Sequence, residues 1–162
     1  MSGDGLHVRA ADERELDRLA RVWFDAWNDA HARIVSPELK RLRTLESFRD
    51  RLAAALPDVR VAGTPGAPVG FYVLKHDELY QLFVAAHARG TGVAAALIAD
   101  AEATLAANGV QTAWLACAIG NDRAARFYEK RGWRRVGTMV NEAETSEGVF
   151  RLDVWRYEKA LT

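Results

Sequence analysis

Arg89, Gly90 and Gly92 are the residues whose types and spacing point most directly to chemistry. They lie in the turn Ala88-Arg89-Gly90-Thr91-Gly92, between an apolar, β-rich run at 79–84 and a long alanine-rich segment that ends at Asn108-Gly109. Within that segment Ala94, Leu97, Ile98, Ala101 and Leu105 fall at i, i+3, i+4, i+7 and i+11, one face of an α-helix. The reading is strand, glycine loop, helix. Free backbone N–H groups in the first turn of a helix, at its positive dipole end, attract anions. Glycine lets such a backbone come close to a phosphate with no Cβ in between. The loop 90–94 (Gly90, Thr91, Gly92, Val93 and Ala94) is therefore expected to hold an anion, with Arg89 as a charge-assisted partner.

Three phosphate motifs can be tested on this loop. A Walker A loop needs a Lys-Ser or Lys-Thr pair after its glycines, and none is present. The dinucleotide fingerprint G-x-G-x-x-G/A is matched formally by Gly90, Gly92 and Ala95. It should open a fold of several parallel strands, with an acid at the end of the next strand. Too little chain follows Gly90 for those strands, and residues 111–119 carry no acid. The third pattern, R/Q-x-x-G-x-G/A, is matched by Arg89, Gly92 and Ala94.

The elements that must position this loop follow from periodicity. A short strand is expected over 6–11, after a loose tail at 1–5. Asp12 and Glu15 form a capping-box pair ahead of a helix that runs to about His31, with Leu16, Leu19, Ala20, Trp23, Trp27 and Ala30 on one face. Ser36-Pro37 reads as an N-cap with Pro at the first helical position, and Leu45, Phe48, Leu52 and Leu56 continue an amphipathic helix after a break near Thr44. Strands are expected over 58–62 and 69–75, joined by a Pro- and Gly-punctuated loop at 63–68. Gly109 stops the central helix. The run 111–119 reads as a strand covered on both faces, followed by a helix from Asn121 or Asp122 to Gly132. Two last strands, near 133–141 and 149–157, flank a solvated acidic loop at 142–148.

Composition narrows the function. The 22 basic and 22 acidic side chains cancel, so no net field favours nucleic acid or an anionic membrane. Cys117 is the only cysteine, which excludes an internal disulfide and a cysteine cluster for a metal; it reads as a buried thiol. No apolar run is long enough for a membrane span, and 1–12 shows no signal-peptide pattern. A single domain over 1–162 in a soluble, cytoplasmic protein is the expectation.

About 30 residues after the loop, Asn121-Asp122-Arg123-Ala124-Ala125-Arg126-Phe127-Tyr128-Glu129-Lys130-Arg131-Gly132-Trp133 is similar to the N-x-x-A-x-x-F-Y-E-K-x-G-F segment of the GNAT N-acetyltransferase superfamily. The loop pattern resembles that family's acetyl-CoA pyrophosphate loop, although Ala86 and Ala88 stand where the family usually has Pro and an aromatic residue. The resemblance implies a mixed α/β (α+β) fold: a twisted, mostly antiparallel sheet of about seven strands with helices on both faces. It implies an acetyl-CoA-dependent N-acetyltransferase acting by direct attack in a ternary complex, or a non-catalytic CoA-binding or regulatory protein on the same fold. The backbone of Phe83 and Val84 would bind the pantetheine arm, joined in the cofactor site by the loop, Asn121 and Tyr128. Tyr128 would be the acid that protonates the departing thiolate. Glu78 is the candidate base, on the same strand face as Tyr80 if no bulge intervenes, with His31, His76 and Asp77 as rivals. Trp27, His31 and Tyr80 are expected to shape the acceptor site. The acceptor is a small amine or a peptide or protein amine, no metal is implied, and a homodimer is common in the family.

Overall fold

Local chemistry sets the elements in the order read from the sequence. The computed structural model describes residues 7–161, so the tail at 1–5 and the Leu6 start of the first strand lie outside the described residues. Strand β1 is Val8–Ala10. Asp12 and Glu15 do form a capping box, which starts a short 3-10 turn that runs directly into helix α1, Leu16–His31. Ser36 and Thr44 accept hydrogen bonds from Leu39 N and Ser47 N, so the expected break separates α2, Pro37–Leu42, from α3, Leu45–Ala55. Then follow β2 (Val59–Thr64), β3 (Ala67–Lys75), β4 (Glu78–Val84), α4 (Val93–Ala107), β5 (Thr112–Ala118), α5 (Asp122–Lys130), β6 (Arg134–Thr145) and β7 (Gly148–Ala160). Among the described residues no helix is long and apolar enough to cross a membrane.

Two loops are shorter than the sequence suggested. The turn between β2 and β3 is confined to Pro65 and Gly66, because Thr64 pairs with Ala67 and Gly63 with Pro68. A register shift at Ala62/Gly63 accommodates the proline, which has no N–H to give the ladder. Gly63 is required there: its φ is 117°, and a Cβ would lie 2.8 Å from Ala67 O. The acidic segment 142–145 is strand rather than solvated loop. It continues β6, with Glu142 opposite Arg151 and Glu144 opposite Val149.

Among the described residues seven strands form one sheet in the order β1-β2-β3-β4-β5-β7-β6. All neighbours are antiparallel except β4 and β5, which are parallel. The sheet separates two cores by strand alternation. Tyr72 joins Leu97, Ala101, Leu105 and Leu115 on the α4 and α5 face, while Phe71 and Val73 join Leu19, Trp23, Phe48 and Leu52 on the α1 and α3 face. Strand β5, expected to be covered on both faces, instead alternates: Ala113, Leu115 and Cys117 are buried and the residues between them only partly so.

The parallel pair matters most. Strands β4 and β5 are paired only at Glu78 and Trp114, where Trp114 N donates to Asp77 O at 3.2 Å. Beyond that point each strand stays with its other neighbour, β4 with β3 up to Val84 and β5 with β7 down to Ala118. The sheet therefore opens like a V toward the C-terminal ends of both strands. Helix α4 starts at the mouth of that V. It is held down by Leu97, which packs so closely on β3 that a Cβ on Gly70 would lie 2.9 Å from Leu97 Cδ1.

Candidate active site

The loop after β4 has the geometry of an anion cradle. Gly90 and Gly92 take positive φ, 78° and 91°, which a side-chain-bearing residue adopts at a cost. The first backbone bond of α4 runs from Ala96 N to Gly92 O at 3.0 Å. Among the described residues the N–H groups of Gly90, Gly92, Val93, Ala94 and Ala95 have no protein acceptor, and Gly92, as N-cap, has no side chain to supply one. Thr91 is occupied differently, its hydroxyl donating to Ala88 O.

This cradle forms one end of a cavity of about 350 Å³ that fills the V. Its walls include Leu82, Phe83 and Val84 of β4, the loop residues Arg89, Gly90, Gly92 and Ala94, and Asn121 and Tyr128 of the α5 segment. Three arginines (Arg89, Arg123 and Arg131) stand on the wall, with no acidic residue there among the described residues. A polyanionic ligand fits that surface. Arg89 is half-buried and its guanidinium is engaged by Asp29 of α1 at 3.2 Å, an exposed pair that a phosphate can replace. Arg131 lies 4.1 Å over the Phe127 ring. Arg123, Phe127 and Arg131 share one helical stripe by their i, i+4, i+8 spacing, a signal that was present in the sequence and not used.

Strand parity refines the β4 contribution. Ala85 N donates to Val69 O at 2.8 Å, and Phe83 stands opposite Phe71. Alternation then turns the N–H and C=O of Phe83 toward β3, and those of Leu82 and Val84 toward the open cleft. The backbone of Val84 thus faces the cleft as expected, with that of Leu82, whereas that of Phe83 faces β3. Upstream, the partner of β4 jumps from Gln81 to Leu79 across Val73/Leu74, so a bulge lies at Tyr80. Glu78 and Tyr80 are thus not related by the simple two-residue alternation the sequence reading allowed for.

Tyr128 is buried on α5, with Phe127 and Trp133 edge-on at 5.3 and 6.2 Å. Its hydroxyl has no hydrogen-bond partner among the described residues, and burial beside Cys117 pushes its pKa above the ordinary phenol range. The proton stays on the oxygen. Asn121 caps α5 by accepting from Ala124 N at 3.4 Å, so its place on the cavity wall is fixed by the helix it starts. Cys117 is buried, with burial pushing its thiol up to about 12, and it lines no cavity wall described above.

Glu78 sits at the closed end of the V, away from the cavity walls. Its carboxyl is buried and accepts no hydrogen bond among the described residues. Desolvation raises its pKa to about 7; Lys75 and Arg156 oppose the rise, and Asp77 adds to it. The rivals are placed otherwise. His76 and Asp77 form the exposed β3–β4 turn, where Asp77 accepts from Trp114 Nε1 at 3.1 Å. His31 is packed against Trp27 and Phe83, ring centroids 5.1 and 6.3 Å away, with Nδ1 3.1 Å from Trp27 O; desolvation lowers its pKa to about 4. Trp27 and Tyr80 line a second, smaller cavity on the α2–α3 side, together with Gln81, Asn141 and two arginines, Arg43 and Arg51, that the sequence reading did not single out.

A parallel strand pair parting over a helix N-terminus, with backbone amides turned into the gap and a cationic rim, defines a class: acyltransferases that bind an acyl-CoA along a splayed strand. The sequence profile of the acetyltransferase (GNAT) family matches residues 14–133, and the chain belongs to that family. Uncharacterized N-acetyltransferases of Mycobacterium tuberculosis and Mycobacterium bovis are 35% identical to it over 112 residues, 66% of this chain and 69% of theirs. The fold is similar to that of a GCN5-related N-acetyltransferase from Rhodopseudomonas palustris, with a TM-score of 0.73 at 22% identity over 95% of this chain and 94% of that one. It is also similar to PaiA N-acetyltransferase from Thermoplasma acidophilum in complex with coenzyme A, with a TM-score of 0.67 at 19% identity over 95% and 98% of the two chains. The protein is an N-acetyltransferase, and acetyl-CoA is its cosubstrate.

Proposed function

We propose that the acetyl group passes directly from acetyl-CoA to a primary amine held in the same complex, with no acetylated enzyme in between. The absence of a usable nucleophile carries this reading. The only cysteine is buried, holds its proton to about 12 and is off the cavity wall, and among the described residues that wall carries no serine or histidine. Holding both substrates in the cleft replaces a bimolecular encounter by a local one.

In this reading the amides of Leu82 and Val84 bind the pantetheine arm and donate to the oxygen on which charge develops. The amides of the loop, with Arg89, Arg123 and Arg131, bind the phosphates. Tyr128 donates to the departing sulfur. A phenol held above its normal pKa does not hand its proton fully to a thiolate whose pKa is about 8.5. Its main contribution is a hydrogen bond that strengthens as charge builds on sulfur. Glu78 takes the amine's proton: its carboxyl titrates near neutrality, where a base works best, and it accepts no hydrogen bond among the described residues. Because Glu78 is off the cavity wall, the proton reaches it by relay rather than by direct contact. A cytoplasmic location, where acetyl-CoA and a reduced thiol coexist, belongs to the same reading.

Initial rates with acetyl-CoA and a panel of primary amines test it. Intersecting double-reciprocal plots, with no acetyl adduct on the intact protein after incubation with acetyl-CoA alone, are expected. Parallel plots with a stoichiometric acetyl-enzyme would overturn direct transfer.

A further inference from the structure

Arg43, the C-cap residue of α2, is a buried guanidinium with no carboxylate to meet it. It is 6% exposed, and its Nη1 donates to the backbone carbonyl of Glu144 at 2.8 Å. Arg51 of α3 is close enough for the two charges to repel; that repulsion adds to burial in lowering Arg43 to about 10. Arg51 donates from Nη2 to the Tyr80 hydroxyl at 3.0 Å and lies 4.3 Å over the Trp23 ring. Neither arginine has an acid within ion-pair distance among the described residues, although eleven other such pairs are formed. Burying Arg43 beside the half-buried Arg51 without a counter-charge is costly unless something else supplies one.

Both arginines wall the smaller cavity, about 90 Å³, with Tyr80, Gln81 and Asn141. Among the described residues Glu142 is the only acid on that wall; it is exposed and engaged by Arg151 at 3.4 Å, and it forms an ion pair with neither Arg43 nor Arg51. The cavity meets β4 at Gln81, and the next residue, Leu82, is on the wall of the acetyl-CoA cavity. Both cavities therefore draw on β4, at consecutive residues whose side chains alternate across the sheet.

We propose that the acceptor is a small amine bearing a carboxylate, and that Arg43 and Arg51 bind that carboxylate beside Gln81 and Asn141 while the amine lies along β4. This rests on the direct-transfer reading above and adds a substrate class to it. The planar guanidinium fork matches the two oxygens of a carboxylate. The volume suits one such group and the carbons next to it rather than a folded peptide. Tyr80, held between Arg51 and Lys75 (whose Nζ is 4.5 Å from the ring centre), gives the pocket a fixed floor.

Calorimetric titration decides the matter independently of turnover. The wild-type protein, saturated with CoA, is titrated with the common L-amino acids, each paired with its primary amide and with its aminophosphonate analogue. At least one amino acid should bind about 10- to 100-fold more tightly than its amide, as expected for charge-assisted bonds to a guanidinium pair. Arg51→Gln keeps a donor for Tyr80 and should reduce that ratio to within about threefold of unity, leaving CoA affinity unchanged. Arg43→Lys, which keeps the charge but loses the fork, should reduce it in part. Equal or tighter binding of all the amides overturns the anion site, and tighter binding of the phosphonates overturns the carboxylate assignment. Turnover then separates the two levels of the argument. Acetylation of amines without preference for a carboxylate contradicts this inference alone, whereas an acetyl-enzyme contradicts the direct transfer on which it rests.

Discussion

Replacing Glu78 by glutamine removes a charge the fold resists. The carboxyl is 9% exposed, and burial raises its pKa from 4.5 to about 7. Because the folded value lies above the unfolded one, the fold favours the protonated form. That contribution to stability is complete below about pH 4.5 and is lost as pH rises through 7. Across the interval the loss amounts to about 3 kcal/mol, at about 1.36 kcal/mol per pH unit. Glutamine resembles the protonated acid and does not titrate. Glu78→Gln should therefore match wild type near pH 4.5 and exceed it by up to about 3 kcal/mol at pH 8, or about 6–12 °C in Tm for a chain of this size. Urea melts of both proteins at four pH values between 4.5 and 8 give the difference directly. The same substitution should abolish the rise of kcat/KM with pH near 7 and lower the plateau by about 10²-fold or more if Glu78 receives the amine's proton. A stability difference that is flat in pH would refute the buried-carboxyl argument. An unchanged pH–rate profile would remove Glu78 from the reaction while leaving the fold argument standing.

Three further substitutions probe the loop and the smaller cavity. Gly92→Asp sets a carboxylate against the free N–H groups of the loop at a φ of 91°, so acetyl-CoA affinity by calorimetry should fall by at least about 100-fold; Arg89→Ala, which also gives up the Asp29 pair, should cost only about 1–2 kcal/mol. Unchanged affinity in a folded Gly92→Asp protein would take the loop out of the site. Trp27→Phe, on the wall of the smaller cavity, should raise the acceptor KM more than about fivefold while acetyl-CoA KM shifts less than about twofold; equal changes in both would mean that Trp27 only supports the core.

The order of strands and helices and the glycine loop between β4 and α4 could be read in the sequence because each rests on a local signal. Capping residues, helical periodicity and the Arg-x-x-Gly-x-Ala spacing are decided within about a dozen residues. What could not be read depends on partners far along the chain. The bulge at Tyr80 exists only in register with Val73 and Leu74, and it decides which residues of β4 turn their amides to the cleft. The acidic run 142–145 looks like a turn by composition; pairing with 148–151 makes it strand and brings Glu142 to a cavity wall. Arg43 and Arg51 carry no motif of their own, and only their placement beside β4 and β6 shows that they share a pocket. Arg123 and Arg131 are different. Their shared stripe with Phe127 was available from spacing alone.

Turnover by Tyr128→Phe tests the central claim most directly, because the hydroxyl is where the V-shaped cavity meets the reacting sulfur in this account. Phenylalanine keeps the buried ring and its contacts with Phe127 and Trp133, and removes only an oxygen that has no protein partner among the described residues. With an acceptor from the amine panel, saturating acetyl-CoA and conditions in which chemistry limits the rate, kcat should fall by about 10²-fold or more, as for the loss of one donor to a developing anion. Acetyl-CoA affinity and Tm should stay close to wild type. A stable Tyr128→Phe protein that turns over at the wild-type rate would contradict the account.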